Sequence, residues 1–310
     1  MRKNWVMTSI RIKQKRVQRN YILGDSWLYY KIYTGHKTSD VVLSEIIKPV
    51  VEKLKEDGIV DKWFFIRYAD TRHHIRVRLH YSNPERVGEV INGLYPPLKQ
   101  FMDQDLIWKI QLDTYQREIE RYGERTMELS EVFFYYDSKM IVHFLDMIEG
   151  EEGEMLRWLF SLRAMDSHLN DFGYSDDDKL RLLDRLKTGF GNEFGISRPL
   201  KKQLDSKYRE ERKRIEEFMI FNVADKPDYA PILDVIDIKE KEVRPIASQI
   251  LNYFKNGIME IGLDDLMASY LHMHMNRLFK SKNRLHELVC YDFLHRYYKS
   301  MIARKKYQKS

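Results

Sequence analysis

Thr114-Tyr-Gln-Arg-Glu-Ile-Glu-Arg-Tyr-Gly123, followed by Met127-Glu-Leu-Ser-Glu-Val-Phe-Phe-Tyr-Tyr-Asp-Ser138, is where the chain changes character. The spacing of Arg117, Ile119 and Arg121 predicts a strand that carries all three on one face. Gly123 permits a turn that a residue with a Cβ resists. Thr126 and the acids after it predict a helix start, because their oxygens can satisfy free backbone N–H groups. A strand therefore delivers an arginine beside a tight turn. Two readings stay open: a seat for an anion, or a sheet edge with cross-strand ion pairs.

Upstream, Trp27–Tyr33 reads as a strand. Ser39–Leu54 has helical spacing at Val42, Ile46, Val50 and Leu54, with Gly58 beyond its end. Asp61–Tyr68 and His73–Tyr81 read as strands joined by the turn 69–72, a hairpin. A helix starts at Asn83-Pro84 and runs toward Asn92, with Pro96-Pro97 breaking or restarting it. Leu106–Glu120 is the strand that enters the opening motif. The order is β-α-β-β-α-β, a sheet with helices packed on it. Past Thr126 the spacing predicts helices at 128–148, 150–169, 176–190, 198–219, 239–256, 264–280 and 283–302. Phe221–Asp237, with Pro227 and Pro231, reads as a loop. The expected fold class is α+β, with a mixed or antiparallel sheet and packed helices in the N-terminal half and a mostly helical C-terminal half. One domain over 1–310 is expected, with a sheet-containing lobe at 20–125, a helical lobe at 126–303 and basic termini.

Composition narrows the function classes. Hydrophobic residues make up 43% of 310, enough to bury a core. The 20 Tyr, 15 Phe and 5 Trp suit packed sheets or peptide pockets. Cys290 is the sole cysteine, which excludes an internal disulfide or a cysteine metal cluster. No apolar run approaches the ~20 residues that span a bilayer, and no signal peptide is visible. The expectation is a cytoplasmic protein without a membrane partner. Part of the net charge of +6 sits at the ends. Arg2, Lys3, Arg11, Lys13, Lys15, Arg16 and Arg19 come without an acid, and Arg304, Lys305, Lys306 and Lys309 close the chain. Such ends bind nucleic acid or an acidic peptide, or are simply solvated.

Two further stretches can carry chemistry. In His74-Ile-Arg-Val-Arg78, strict alternation puts Ile75, Val77 and Leu79 on one face and His74, Arg76 and Arg78 on the other. Two arginines ~7 Å apart on one strand face can each grip a carboxylate in two hydrogen bonds. The plainer reading is salt bridges to Glu118 or Glu120. In His272-Met-His-Met-Asn-Arg277, His272 and Asn276 share a helix face and Arg277 lies one position round. A neutral imidazole can take a proton, although a lone helical histidine is more often packed. His272 and His274 do not face one another, so no zinc pair is expected. Nucleotide loops, H-E-x-x-H and the nucleophile elbow are absent. No cofactor and no metal are expected.

Taken together, these motifs resemble the C-terminal elimination domain of class I lanthipeptide dehydratases, which also occurs as a stand-alone protein in thiopeptide pathways. The likeness runs through Trp63-Phe-Phe-Ile-Arg-Tyr-Ala-Asp, His74-Ile-Arg-Val-Arg, Tyr115-Gln-Arg-Glu-Ile-Glu-Arg-Tyr-Gly, Glu128-Leu-Ser-Glu with Asp137-Ser138, and His272-Met-His-Met-Asn-Arg. It covers about Trp27 to Tyr298. It implies an enzyme that eliminates glutamate from glutamylated Ser or Thr of a precursor peptide, giving dehydroalanine or dehydrobutyrine. No glutamylation domain precedes the motifs, so a separate dehydratase protein is expected to supply glutamyl-tRNA chemistry. By resemblance, Arg78 and Arg121 match catalytic arginines, Arg76 a neighbouring one, and His272 the catalytic histidine. His272 is assigned to proton transfer and the arginines to glutamate binding and charge stabilisation. His74, Arg117, Tyr122 and Asn276, from the same motifs, are expected to contact substrate. Arg76, Arg78, Arg121 and His272 are expected to meet at one cleft. The departure is Arg121-Tyr-Gly-Glu124, where the family commonly has a second glycine, so Glu124 is expected to disturb anion binding. Two other functions stay open: pyridine formation by [4+2] cycloaddition of two dehydroalanines with leader expulsion, and non-catalytic peptide or RNA binding. A homodimer is also open.

Overall fold

The hairpin expected from alternation forms in the computed structural model, which describes residues 17–195 and 197–308. The basic run from Arg2 to Arg16, and Lys309, lie outside the described residues. In chain order the elements begin with β1 (Asn20–Tyr21), β2 (Trp27–Thr34) and α1 (Thr38–Val41). A π-helical stretch, Val42–Ile47, carries α1 into α2 (Lys48–Glu56). Then come β3 (Lys62–Ala69), β4 (His73–His80), a 3₁₀ turn at Pro84–Arg86, α3 (Val87–Asp103), β5 (Ile107–Leu112), β6 (Tyr115–Gln116) and α4 (Ile119–Tyr122). The helical half holds α5 (Met127–Leu145), α6 (Gly150–Asp171), α7 (Asp176–Phe194) and α8 (Arg198–Ile220). After a 3₁₀ turn at Pro227–Tyr229 come α9 (Ala230–Lys255), α10 (Leu263–Leu278) and α11 (Asn283–Tyr307). This is the expected α+β class.

The main sheet is antiparallel in the order β3-β4-β2-β5, and β1 pairs with β6 in a second, two-stranded sheet. The register places Arg78 opposite Tyr29 and Phe64, and Arg76 opposite Lys31 and Ile66. Ile75, Val77 and Leu79 are fully buried on the other face, as their alternation requires.

Three expectations are corrected. The single strand Leu106–Glu120 is two strands in different sheets, followed by a helical turn. Asp113 accepts from the Thr114 N–H (2.7 Å) at the break; β5 pairs with β2, and β6 pairs with β1. Arg117, Ile119 and Arg121 therefore do not share a strand face, because alternation cannot distinguish a strand from a strand that turns into α4. α3 runs through Pro96-Pro97. Proline removes N–H bonds there, but Val90, Leu94, Leu98 and Phe101 form one buried stripe that needs the whole helix. The expected loop 221–237 becomes helix from Ala230, with Pro231 in the first turn where a missing N–H costs nothing.

The edge of β3 explains two of the motifs. The Phe65 N–H donates to Ser138 Oγ (3.3 Å). Asn276 accepts from the Arg67 N–H (3.0 Å) and donates to the Arg67 carbonyl (2.9 Å). Arg277 Nε donates to the Phe65 carbonyl (2.8 Å). Side chains of α5 and α10 thus occupy backbone groups that an exposed edge strand would offer to another chain. They also lock the helical half onto the sheet beside the arginine face.

Candidate active site

A cleft of about 500 Å³ opens over β2, β4, β6 and α4. Arg19, Lys31, Arg76, Arg78, Arg117 and Arg121 line it, against only Asp113, Glu118 and Glu120. Four of the six cations pair with a carboxylate, Arg121 with Glu118 among them. Arg19 pairs with Glu120 and Lys31 with Asp113. Arg117 forks onto Glu131 through Nε and Nη2 (both 2.7 Å) and donates from Nη1 to the Gln18 carbonyl (3.1 Å). Both members of that pair are buried. Burial works against the Arg117 charge, yet the Glu131 bonds raise its pKa overall. Arg117 lines the cleft, but its fork is committed to tying β6 to α5 rather than free for substrate.

Arg76 and Arg78 are not paired with Glu118 or Glu120. Arg76 Nε donates to His74 Nε2 (3.1 Å), and its guanidinium lies 3.5 Å from the Tyr68 ring centre. His74 is fully buried and its Nδ1 donates to the Arg72 carbonyl (3.0 Å). Burial lowers its pKa, which favours the neutral ring whose Nε2 accepts from Arg76. His74 therefore positions Arg76 from below. Arg78 is 8% exposed and, among the described residues, makes no hydrogen bond or ion pair. Its guanidinium sits 4.6 Å from the Tyr29 ring, 4.9 Å from Tyr115 and 5.2 Å from Phe64. Aromatic faces stabilise a cation without neutralising it. The fork remains available to an anion.

Arg121 donates from Nε to Ser269 Oγ on α10 (3.2 Å) and from Nη1 to Glu118 (3.3 Å). Gly123 follows with φ +77°, and a Cβ there would stand 2.8 Å from Thr126 Oγ1 and 2.9 Å from Glu260 Oε2. Glu124 accepts from the Val17 N–H (3.2 Å). It is turned onto the N-terminal segment and is not among the residues that line the cleft.

Beside the cleft, and sharing Arg78, Gln116 and Glu118 with it, lies a smaller chamber of about 40 Å³. Its walls are mostly apolar, including Phe64, Ile66, Tyr122, Phe134 and Met273, and Arg277 is among them. Burial pushes the Tyr122 hydroxyl up to about 12, so it stays neutral.

His272 is not among the residues that line the cleft or the chamber. It follows Ser269 and precedes Met273 on α10, but its imidazole turns toward α11. There Nδ1 lies 2.9 and 3.0 Å from the two carboxylate oxygens of fully buried Glu287. Tyr291 donates to the same carboxylate (3.4 Å). The carboxylate fixes the hydrogen on Nδ1 and leaves Nε2 as the basic nitrogen. Asn276 is spent on the β3 backbone. So Arg76, Arg78, Arg117, Arg121 and Tyr122 gather at the cleft and chamber, while His74, Asn276 and His272, whose side chain is partly exposed, are not among the lining residues. Glu287 and Ser269 were not picked out from the sequence, and Arg19 only as part of the basic N-terminus. They come from other segments, and no local pattern ties them to the motifs.

Asp137, His168 and His274 are fully buried and bring ligand-type atoms within 4.8 Å of one another. Asp137 Oδ1 accepts from His274 Nδ1 (2.7 Å) and His168 Nε2 (3.1 Å), and Oδ2 accepts from Arg277 Nη1 (2.8 Å). Burial alone would raise the Asp137 pKa. His274, His168 and Arg277 together hold it well below the usual range. The Arg277 charge already balances the carboxylate and opposes a divalent ion beside it. The hydrogen bonds read as a strut that orients Arg277.

Buried histidines also set a pH expectation. Burial drives His168 down to about 3 and His73 to about 4, from an ordinary 6.5. Unfolded, both rings bind protons below about 6.5 that the folded chain refuses. Stability is therefore expected to fall as pH drops from about 6.5 toward 4. Urea midpoints at pH 7.5 and 5 check this, and equal midpoints would contradict it.

The fold has known counterparts. The chain is 23% identical over 279 residues to the subtilin biosynthesis protein SpaB of Bacillus subtilis, covering 86% of this chain and 25% of that protein. It thus spans about a quarter of that relative's length. The tRNA-dependent lantibiotic dehydratase MibB of Microbispora sp. 107891 shares the fold with a TM-score of 0.71 at 19% identity, over 91% of this chain and 29% of that one. The pyridine synthase TbtD from thiomuracin biosynthesis shares it at 0.59 and 14% identity, over 89% of this chain and 99% of that one. The family model for the lantibiotic biosynthesis dehydratase C-terminal region matches residues 27–298, and the chain belongs to that family.

Proposed function

We propose that the protein eliminates glutamate from glutamylated Ser or Thr residues of a ribosomal precursor peptide. The observation that carries this reading is Arg78, a buried guanidinium without an anionic partner among the described residues, at the floor of a cationic cleft. A base removes the Cα proton of the esterified residue. Its electrons form the Cα=Cβ bond, the Cβ–O bond breaks, and glutamate leaves as a carboxylate. Arg76, Arg78 and Arg121 are placed to bind the glutamyl group and the negative charge that develops as it leaves. Proton transfer is assigned to His272 by its motif, with Glu287 holding the Nδ1 hydrogen.

His272→Ala is then expected to lower elimination by ~10²–10⁴, with peptide binding retained. Glu287→Gln is expected to lower it less, by disturbing the tautomer. Mass spectrometry of a glutamylated peptide follows both. A His272→Ala variant as fast as wild type removes His272 from the mechanism.

Pyridine formation is the second reading, favoured by the match to nearly the whole length of TbtD. A wild-type protein that ignores the glutamyl ester but converts a bis-dehydroalanine peptide into a macrocycle plus free leader establishes it in place of elimination. The binding-protein reading gains little from the described basic residues. Arg304 pairs with Glu216 (2.9 Å), Lys305 with Asp176 (2.6 Å), and Arg19 with Glu120. No described helix is long and apolar enough to cross a membrane.

A further inference from the structure

One edge of the main sheet is closed and the other is open. β3 is capped by Ser138, Asn276 and Arg277, whereas β5 ends the sheet with β2 as its neighbour. Among the described residues, no group outside β2 hydrogen-bonds to the backbone of 107–112. The outward N–H and C=O groups of such a strand are a template for another. The register shift between Tyr33 and Thr34 leaves Trp108 without a partner, a bulge that confines the regular edge to 109–112.

Both flanks of this edge carry side chains that a peptide can use. α3 packs on β5 and on α2, and α2 leads into β3 at the opposite edge of the sheet. A Cβ at Gly93 would stand 3.4 Å from Leu54, so that flank of α3 faces α2. Tyr95 and Met102, two and nine residues on, lie about half a turn round, on the flank above the open edge. They are 61% and 37% exposed, and Trp108 on the edge itself is 44% exposed. On the other face of the sheet, Gln111 stands opposite Lys31 of the cleft and Lys109 opposite Tyr33. Lys109 is exposed, its ammonium 5.1 Å from the Tyr33 ring, and it has no ion pair among the described residues. Past the end of β5 the chain continues as Asp113, Thr114 and Gln116, which line the cleft.

We propose that the edge of β5 binds the precursor peptide as an added strand, through an extended stretch beside the residue to be modified. The inference rests on the reading of a peptide substrate above and names the part of that substrate which supplies affinity. Main-chain bonds to 109–112 give the grip, and alternate side chains meet the two flanks. The Tyr95 and Met102 flank takes apolar residues, and the Lys109 flank takes acidic ones. A peptide lying there runs on into the cleft, because β5 does. A second copy of the chain fits less well. The edge is about 20 Å long and one helix flank wide, small against the ~800 Å² per partner of a stable interface.

The test uses the full chain and a short fluorescent peptide alternating Val and Glu, with one alternating Val and Lys beside it. Binding is read by anisotropy and by hydrogen exchange, without turnover. The Val–Glu peptide is expected to bind and to slow exchange of the outward amides of 109–112. The Val–Lys peptide should bind ~10-fold more weakly, attraction at several exposed pairs having become repulsion. Lys109→Glu should reverse that order, and Tyr95→Asp should weaken the Val–Glu peptide by ~10-fold through lost apolar contact. Two further Val–Glu peptides carry N-methyl groups at odd or at even positions. One of them should lose binding by ~10-fold and the other keep it, because only alternate N–H groups face β5. Equal binding of the two N-methylated peptides, or an unchanged charge preference in Lys109→Glu, overturns strand addition at β5. Slow exchange of the same amides before any peptide is added means that the chain itself or a second copy covers the edge, and overturns it too. Elimination of glutamate from a glutamylated peptide is measured separately. A protein that binds at β5 without eliminating loses the elimination reading alone, and one that eliminates without binding there loses this inference alone.

Discussion

Arg78→Lys is expected to leave a folded protein that accumulates glutamylated peptide, with elimination reduced by ~10²–10³. The magnitude is that of removing one preorganised donor from the charge that develops in a transition state. Arg78 is set between Tyr29, Phe64 and Tyr115, where a flat guanidinium stacks and an ammonium does not. Lysine keeps the charge but loses both the stacking and the two-point grip. The measurement is single-turnover elimination by mass spectrometry, with circular dichroism to show that the variant folds. A folded Arg78→Lys protein at wild-type rate would mean that the unpaired guanidinium is not part of the chemistry. A cycloaddition enzyme has no glutamate to grip and should tolerate the same change far better, so the variant also separates the two enzyme readings.

Asp137→Ala is expected to cost about 3–5 kcal/mol of stability, the usual penalty for leaving a buried charge without its partner. Asp137 and Arg277 are both fully buried, and Asp137 is also the acceptor for His168 and His274. Losing it leaves the Arg277 guanidinium uncompensated and two imidazole N–H groups without an acceptor. Because Arg277 also holds the β3 edge through the Phe65 carbonyl, the damage should reach the contact between sheet and helices. Chemical denaturation with an unchanged slope checks the number. A loss below about 1 kcal/mol would show that the strut is not what holds Arg277 in place.

The periodicities themselves were enough for the class of fold and for most elements. Alternation in 61–68 and 73–81, and helical spacing past Thr126, depend only on neighbours within a few residues, and β3, β4 and the helices from α5 to α11 follow them. The run through Pro96-Pro97 was missed because proline's local cost is outweighed by the buried stripe of α3, and the α9 start because Pro231 falls in a first turn, where its missing N–H costs nothing. The arginine set at the cleft was legible through Arg76, Arg78 and Arg121, since residue type and motif travel with the chain.

Which of those cations stays free was not legible. His74, Arg76 and Arg78 share one strand face in the sequence, yet one is a buried support, one rests on it, and one is left without an acceptor. Arg117 looked like Arg121 until Glu131 of α5 closed on it. Asn276 and Arg277 read as neighbours of a histidine, but the edge of β3 claims Asn276 wholly and Arg277 in part. His272 is held by Glu287, fifteen residues on and in another helix. Pairing of charges is a matter of which groups meet within about 3 Å in a space that excludes water. Spacing along the chain decides faces, and only packing between elements decides partners.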